Sequence, residues 1–455
     1  MSADAPTVVR SRRTVTPEGV RPATVHIRAG MIMRVAGWDD VGDSDGDALH
    51  DVGELMVLPG LVDTHVHVNE PGRTEWEGFS TATRAAAAGG VTTLLDMPLN
   101  AIPATTSAAA LREKMTAADG KCTVDVGFIA GVVPGNTHEL TPLRTAGAFA
   151  FKCFLSPSGV EEFPRVEEED LRAAFPILAK LGTPLMVHAE LPAYLKEGTP
   201  GNTGYPAYLA SRPPEAEKAA IDLLVRLMDW CRIPVHVVHV SSAPGVQAIR
   251  AARARGLPIT GETCPHYLAF SAVDVPTRAT EFKCAPPIRE PAHRDALWQG
   301  LLDGDLDLIA SDHSPAPSTM KATGGDFFTA WGGIASLQLG LGVVWTAAAR
   351  RGIGVEQVVR WMGSAPAALV GLDKKKGRIA EGCDADLVVW DPDAEVVVDP
   401  KRLYHRHPLT PYAGNRLHGV VNETFLRGRV VYRNGAFRAP RGVMLAASPM
   451  SRTHA

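Results

Sequence analysis

Asp63-Thr64-His65-Val66-His67 closes an apolar run that begins near Leu58. Residues two apart on a strand share a face, so His65 and His67 point the same way. Two imidazoles on one face at a strand end make a good pair of metal ligands. They make an equally ordinary pair of hydrogen-bonded core histidines, and the pattern alone leaves both readings open. Lys152 lies in Ala148-Phe149-Ala150-Phe151-Lys152-Cys153-Phe154-Leu155. A charge inside so apolar a strand is unfavourable. Burial favours the free amine, and a free amine can add carbon dioxide to give a carbamate. The two carbamate oxygens could bridge two cations. A lysine that snorkels to the strand end, or pairs with an acid, is the plainer reading for Lys152 taken alone.

Three more strand ends carry ligand types. His188 follows the apolar run Pro184-Leu185-Met186-Val187. Val235-His236-Val237-Val238-His239 offers two histidines three apart, which face different sides. His239 is nearer the C-terminal end and is the candidate; His236 reads as a packing or supporting residue. Asp312 stands just past Leu306-Asp307-Leu308-Ile309-Ala310. Each is weak alone, because a strand-end histidine is often only hydrogen-bonded. Their joint placement carries the weight.

What positions them is an alternation of short apolar runs and Ala-rich helical stretches from about 57 to 372. The pattern supports about eight strand–helix units, the expectation for an α/β fold of the TIM (β/α)8 type. Catalytic residues of that barrel come from the C-terminal ends of several strands, where every candidate lies. Both ends of the chain are β-rich. Residues 1–56 and 373–440 are therefore expected to meet in one small β-sandwich domain flanking a barrel of 57–372. The segment 441–455, rich in Pro, Ala and Ser, is expected to be a flexible tail.

Composition excludes other classes. The 455 residues carry a net charge of -4, with 45% hydrophobic, 21% charged and 6% aromatic residues. No basic field serves nucleic acid or an anionic membrane, and aromatic residues for base stacking are few. From Met1 to Arg13 no apolar run has signal-peptide length, and no stretch approaches the length needed to span a bilayer. Six scattered cysteines without a CxxC pair read as reduced thiols. A cytoplasmic protein is expected.

The order HxH, strand Lys, His, His, Asp resembles the amidohydrolase superfamily, in its branch of dihydroorotases, hydantoinases and allantoinases. The resemblance runs from Val57 to about Pro392 and includes Gly377-Arg378-Ile379-Ala380-Glu381-Gly382-Cys383-Asp384-Ala385-Asp386-Leu387. It implies two divalent metal ions, with zinc the expected metal. His65, His67 and Asp312 would hold one, and His188 and His239 the other. Lys152, carboxylated by carbon dioxide, would bridge them. It further implies that a metal-bound hydroxide attacks a ring amide while Asp312 shuttles the proton. A homo-oligomer, with a tetramer favoured, is common among such relatives.

Substrate choice turns on two departures. Dihydroorotases typically carry an Arg two residues after the second His of HxH; here that position is Asn69, which cannot replace a charged bidentate donor. Hydantoinases usually have a Tyr five residues after the bridging Lys; here Pro157 has no side-chain donor. Instead Asn69 to Gly78, Asp96 to Asn100, Lys152 to Gly159, Lys283 to Arg289 and Ser311 to Pro315 resemble allantoinases. The implied small-molecule substrate is allantoin, a neutral hydantoin with a ureido arm. Asn100, Cys284 and Ser314 are the candidate substrate contacts. Asn100 reads equally as a turn residue, and Cys284 equally as a small core residue. Rival readings are another cyclic-amide hydrolase, a mononuclear deaminase that would not need Lys152, and a metal-free scaffolding homologue that would have lost ligands.

Overall fold

The computed structural model describes residues 7–41 and 48–447; the outer parts of the expected first and last segments, 1–6 and 448–455, and 42–47 lie outside the described residues. Eight parallel strands form the centre: Leu61–Val66, Val91–Asp96, Asp125–Phe128 continued by Ala130–Gly131, Phe151–Phe154, Leu185–His188, Val235–Val237, Ile259–Thr263 and Leu308–Ile309. Neighbours pair in chain order. The His67 amide closes the ring by donating to His313 O at 2.8 Å. The fold is therefore the α/β barrel expected from the alternating pattern.

The helices between these strands start where the sequence provides for it. Pro214–Trp230 begins with proline, whose missing N–H is not needed there, and has Glu215 and Glu217 in its first turn against the positive end of its dipole. Glu168–Leu181 opens with a capping box between Glu167 and Asp170. Apolar faces of these helices, such as Leu171, Phe175 and Leu178, are buried against the strands.

Strands from both ends of the chain join in one nine-stranded sheet. Met56–Pro59 pairs antiparallel with Leu387–Val397, so the N-terminal strands meet the C-terminal ones directly. Val9, Val25, Ile27, Leu387 and Phe425 pack together as its own core.

The expectation of a loose tail from 441 is corrected for residues 442–447. Val126 N donates to Val443 O at 3.0 Å, Leu445 N to Val126 O at 2.8 Å and Ala447 N to Gly147 O at 3.0 Å. The segment lies along the third barrel strand through backbone bonds, which its composition does not reveal. Among the described residues, no helix is long and apolar enough to cross a membrane.

Candidate active site

Four of the candidates stand where a strand leaves the barrel, and His65 and Lys152 lie within their strands. His65 is in the first strand and His67 follows it; Lys152 is inside the fourth; His188 ends the fifth. His239 and Asp312 lie just beyond the sixth and eighth. There the backbone turns left-handed, with φ of 41° at His239 and 45° at Asp312. Few residues other than glycine adopt that region, and such positions cluster at functional sites.

The turns bring the side chains together. Asp312 Oδ1 lies 3.2 Å from His65 Nε2 and 3.4 Å from His67 Nε2. His188 Nδ1 is 3.0 Å from His239 Nε2. The two groups adjoin, since the rings of His65 and His239 are 5.5 Å apart between centroids. Lys152 is fully buried, and its Nζ has no hydrogen-bond partner among the described residues. It stands 4.9 Å from the Phe154 ring centre.

Burial sets the charges. It lowers His67 to about 4 and takes His239 well below its ordinary value, so both rings stay neutral. It brings the Lys152 amine down to about 8, the neighbouring Glu262 and Asp312 partly opposing it. For Asp312 burial pushes upward, but the imidazoles it faces outweigh burial and hold it well below the usual carboxylate range.

Hydrogen-bond accounting tests whether this cluster fits a metal. His65 Nδ1 faces Glu262 Oε1 at 2.5 Å, and His188 Nε2 faces Glu190 Oε2 at 2.8 Å. An ionised carboxylate only accepts, so both outer nitrogens carry the proton. A ring that binds a metal must be neutral, and in that form the inner nitrogen is the one that carries the lone pair. His65 thus turns a lone pair toward an Asp312 oxygen, and His188 turns one toward another imidazole. Lone pairs converging in a buried space fit a cation. His65, His67 and Asp312 offer ligand atoms all within 4.8 Å of one another.

The cluster forms the floor of a cavity of about 610 Å³, lined also by Asn100, Cys284 and Ser314. Asn100 has a second contact that the sequence did not indicate: its amide meets His67 Nδ1 at 3.3 Å. Turning that amide over would set its unpartnered Oδ1 against the ring N–H. Burial raises the Cys284 thiol to about 12, so it is not an anion. Pro157 lines the wall, whereas Asn69 is turned away and donates to Pro315 O at 3.3 Å. His236 points to Glu262, at 3.0 Å.

Sequence reasoning missed Glu262, Glu190 and Arg212. Arg212 grips Glu190 through Nη2 at 2.5 Å and Nε at 3.1 Å. The available signal was a carboxylate inside a barrel strand, as in Ile259-Thr260-Gly261-Glu262-Thr263, but the threonines beside Glu262 make it less conspicuous than Lys152 in its apolar strand.

A parallel barrel with buried imidazoles and a carboxylate at its C-terminal strand ends defines the metal-dependent barrel hydrolases as the class. Comparison with known proteins narrows this. Residues 56–431 match the model of the amidohydrolase family, and the chain belongs to that family. An allantoinase of Streptomyces avermitilis is 50% identical over 448 residues, covering 98% of this chain and 100% of that protein. An allantoinase of Saccharomyces cerevisiae is 46% identical over 409 residues, 88% of each chain. Among solved structures, L-hydantoinase (dihydropyrimidinase) from Arthrobacter aurescens superposes with a TM-score of 0.92 at 30% identity, covering 97% of this chain and 99% of that one. Dihydropyrimidinase from Brevibacillus agri gives 0.89 at 29% identity, covering 98% and 100%.

Proposed function

We propose that this protein is a cyclic-amide hydrolase that opens the hydantoin ring of allantoin to allantoate, a step of purine degradation. The observation that carries the reading is the convergence of His65 Nε2 and His67 Nε2 on Asp312 Oδ1 at the cavity floor. Likeness to allantoinases over almost the whole chain supports the substrate. Asn69 and Pro157 support it too, since they lack the donors on which dihydroorotases and hydantoinases rely.

In this reading two divalent ions, zinc by preference, supply Lewis acidity and a water made acidic enough to react at neutral pH. His65, His67 and Asp312 would hold one ion, and His188 and His239 the other. Lys152 would bridge them once its amine has added carbon dioxide, forming an N–C bond and releasing one proton. Its buried, unpartnered Nζ supports that chemistry. Asp312 turns Oδ1 to the imidazoles, which leaves Oδ2 to take the proton of the attacking water. The same oxygen returns it to the departing ring nitrogen. Asn100, Cys284 and Ser314 on the cavity wall would contact the substrate. Cytoplasmic residence and assembly as a homotetramer belong to the same reading.

The structural likeness to hydantoinases and dihydropyrimidinases favours one second reading, a hydrolase of another cyclic amide. A panel of allantoin, hydantoin, dihydrouracil and dihydroorotate separates the two, with metal content measured on the same sample. Allantoin should give the highest kcat/KM in protein that carries divalent metal. A preference for dihydrouracil would overturn the substrate assignment, and full activity without metal would overturn the mechanism.

A further inference from the structure

Glu262 is a buried charge that the reaction, as read above, does not use. It lies in the seventh strand with its side chain wholly enclosed. Both oxygens are committed. Oε1 is 2.5 Å from His65 Nδ1, and Oε2 is 3.0 Å from His236 Nε2. Behind it, His236 Nδ1 meets Thr260 Oγ1 at 2.8 Å. A chain Thr260–His236–Glu262–His65 therefore runs from the barrel wall to the candidate centre.

The chain decides which nitrogen His65 offers. With its proton on Nδ1, the ring donates a hydrogen bond to Glu262 and turns the Nε2 lone pair to Asp312 Oδ1, 3.2 Å away. With the proton on Nε2, two lone pairs would face each other across 2.5 Å at Glu262. The buried carboxylate forbids that tautomer. His188 is fixed in the same manner by Glu190, but there the carboxylate is neutralised by the fork of Arg212. Glu262 instead leans on a second imidazole, so the carboxylates behind the two pairs of rings are held by different means. Partners of this kind orient a ligand ring and raise its basicity.

We propose that Glu262, backed by His236, is a positioning residue: it fixes His65 with Nε2 toward Asp312 and thereby sets the metal affinity of the site of His65, His67 and Asp312. This rests on the reading that the cluster holds metal. The test is the zinc affinity of wild-type, Glu262→Gln and Glu262→Ala protein, by competition with a chromophoric chelator, alongside thermal midpoints of the metal-free forms. Glu262→Ala should bind zinc about 10–100-fold more weakly. Glu262→Gln should fall between, because its amide oxygen still accepts from His65 but carries no charge. Equal zinc affinity in all three proteins, even with a lowered midpoint in the variants, would overturn the proposal. Where Glu262→Ala is not recovered folded, Glu262→Gln against wild type decides: equal affinity overturns, weaker affinity supports. If wild-type protein binds no divalent metal, the reading of the centre fails; if it binds and the variants match it, only the role of Glu262 fails.

Discussion

Lys376 Nζ stands 2.7 Å from Asp125 Oδ2, an ion pair that ties the segment leading into the C-terminal strands to the foot of the third barrel strand. The same amine meets Asp386 at 2.7 Å and Asp384 at 2.8 Å. Arg427 reaches the same Asp125 oxygen from the hairpin beyond. Asp125 Oδ1 accepts from Val443 N at 2.9 Å, so the C-terminal segment joins the cluster as well. The side chains of Lys376 and Asp125 are 1% and 0% exposed. Water therefore screens these charges little, and each depends on the others. The three aspartates offer a grouping that could hold a metal, but the lysine ammonium already fills that role.

Lys376→Met follows from this. Removing one partner of a buried ion pair leaves uncompensated charge, at a cost of about 3–5 kcal/mol. Asp125 and Asp386 would then face each other in a dry space. The thermal midpoint should fall by several degrees, while kcat of the protein that remains folded stays near wild type, because none of these residues lines the catalytic cavity. An unchanged midpoint would show that the cluster does not hold the two parts together.

Asp312→Asn tests the proton carrier. The left-handed backbone at Asp312, φ 45°, is one that asparagine tolerates well, so the fold should survive. An amide cannot accept and return a proton, and general acid–base catalysis contributes on the order of 10²–10⁴-fold. We expect kcat to fall by that range with little change in the thermal midpoint. Near-normal turnover would remove Asp312 from the mechanism.

The sequence made the barrel legible because its apolar runs are short and its helical stretches regular. It also made the two-residue period of His65 and His67 legible, and the position of His239 beyond His236. Partners distant in the chain were not legible. Glu262 meets His65 across 197 residues, and no local pattern ties a strand carboxylate to one histidine in particular. Residues 442–447 were misread for another reason. Their attachment uses backbone donors and acceptors, and composition reports only side chains. Asn100 shows a third limit: the resemblance of Asp96 to Asn100 to allantoinases made it a candidate, but only the fold sets it beside His67.

Lys152→Ala tests the bridge. A buried amine with no partner is costly unless modified or paired, so alanine need not harm folding. The variant should lose bound divalent metal and activity together. Added short carboxylic acids should restore part of both, because they supply the missing pair of oxygens. A full metal complement in Lys152→Ala without any added acid would refute the bridging role.

Lys321 gives a pH dependence that does not involve the candidate metal ligands. Its buried Nζ donates to Lys283 O at 3.0 Å and to Thr280 O at 3.3 Å. Burial, with Lys283 adding to it, lowers the amine to about 7 from an ordinary 10.5. Between those values the unfolded chain binds more protons than the folded one, so this group makes stability rise with pH. Below about 7 both states carry the proton, and its destabilising effect is constant. Lys321→Met removes the titration along with two hydrogen bonds. Thermal midpoints of both proteins at pH about 7 and about 9.5 should therefore diverge: the wild type gains on the variant as pH rises. A difference between the proteins that is the same at both pH values would show that Lys321 stays equally protonated in the folded and unfolded chain.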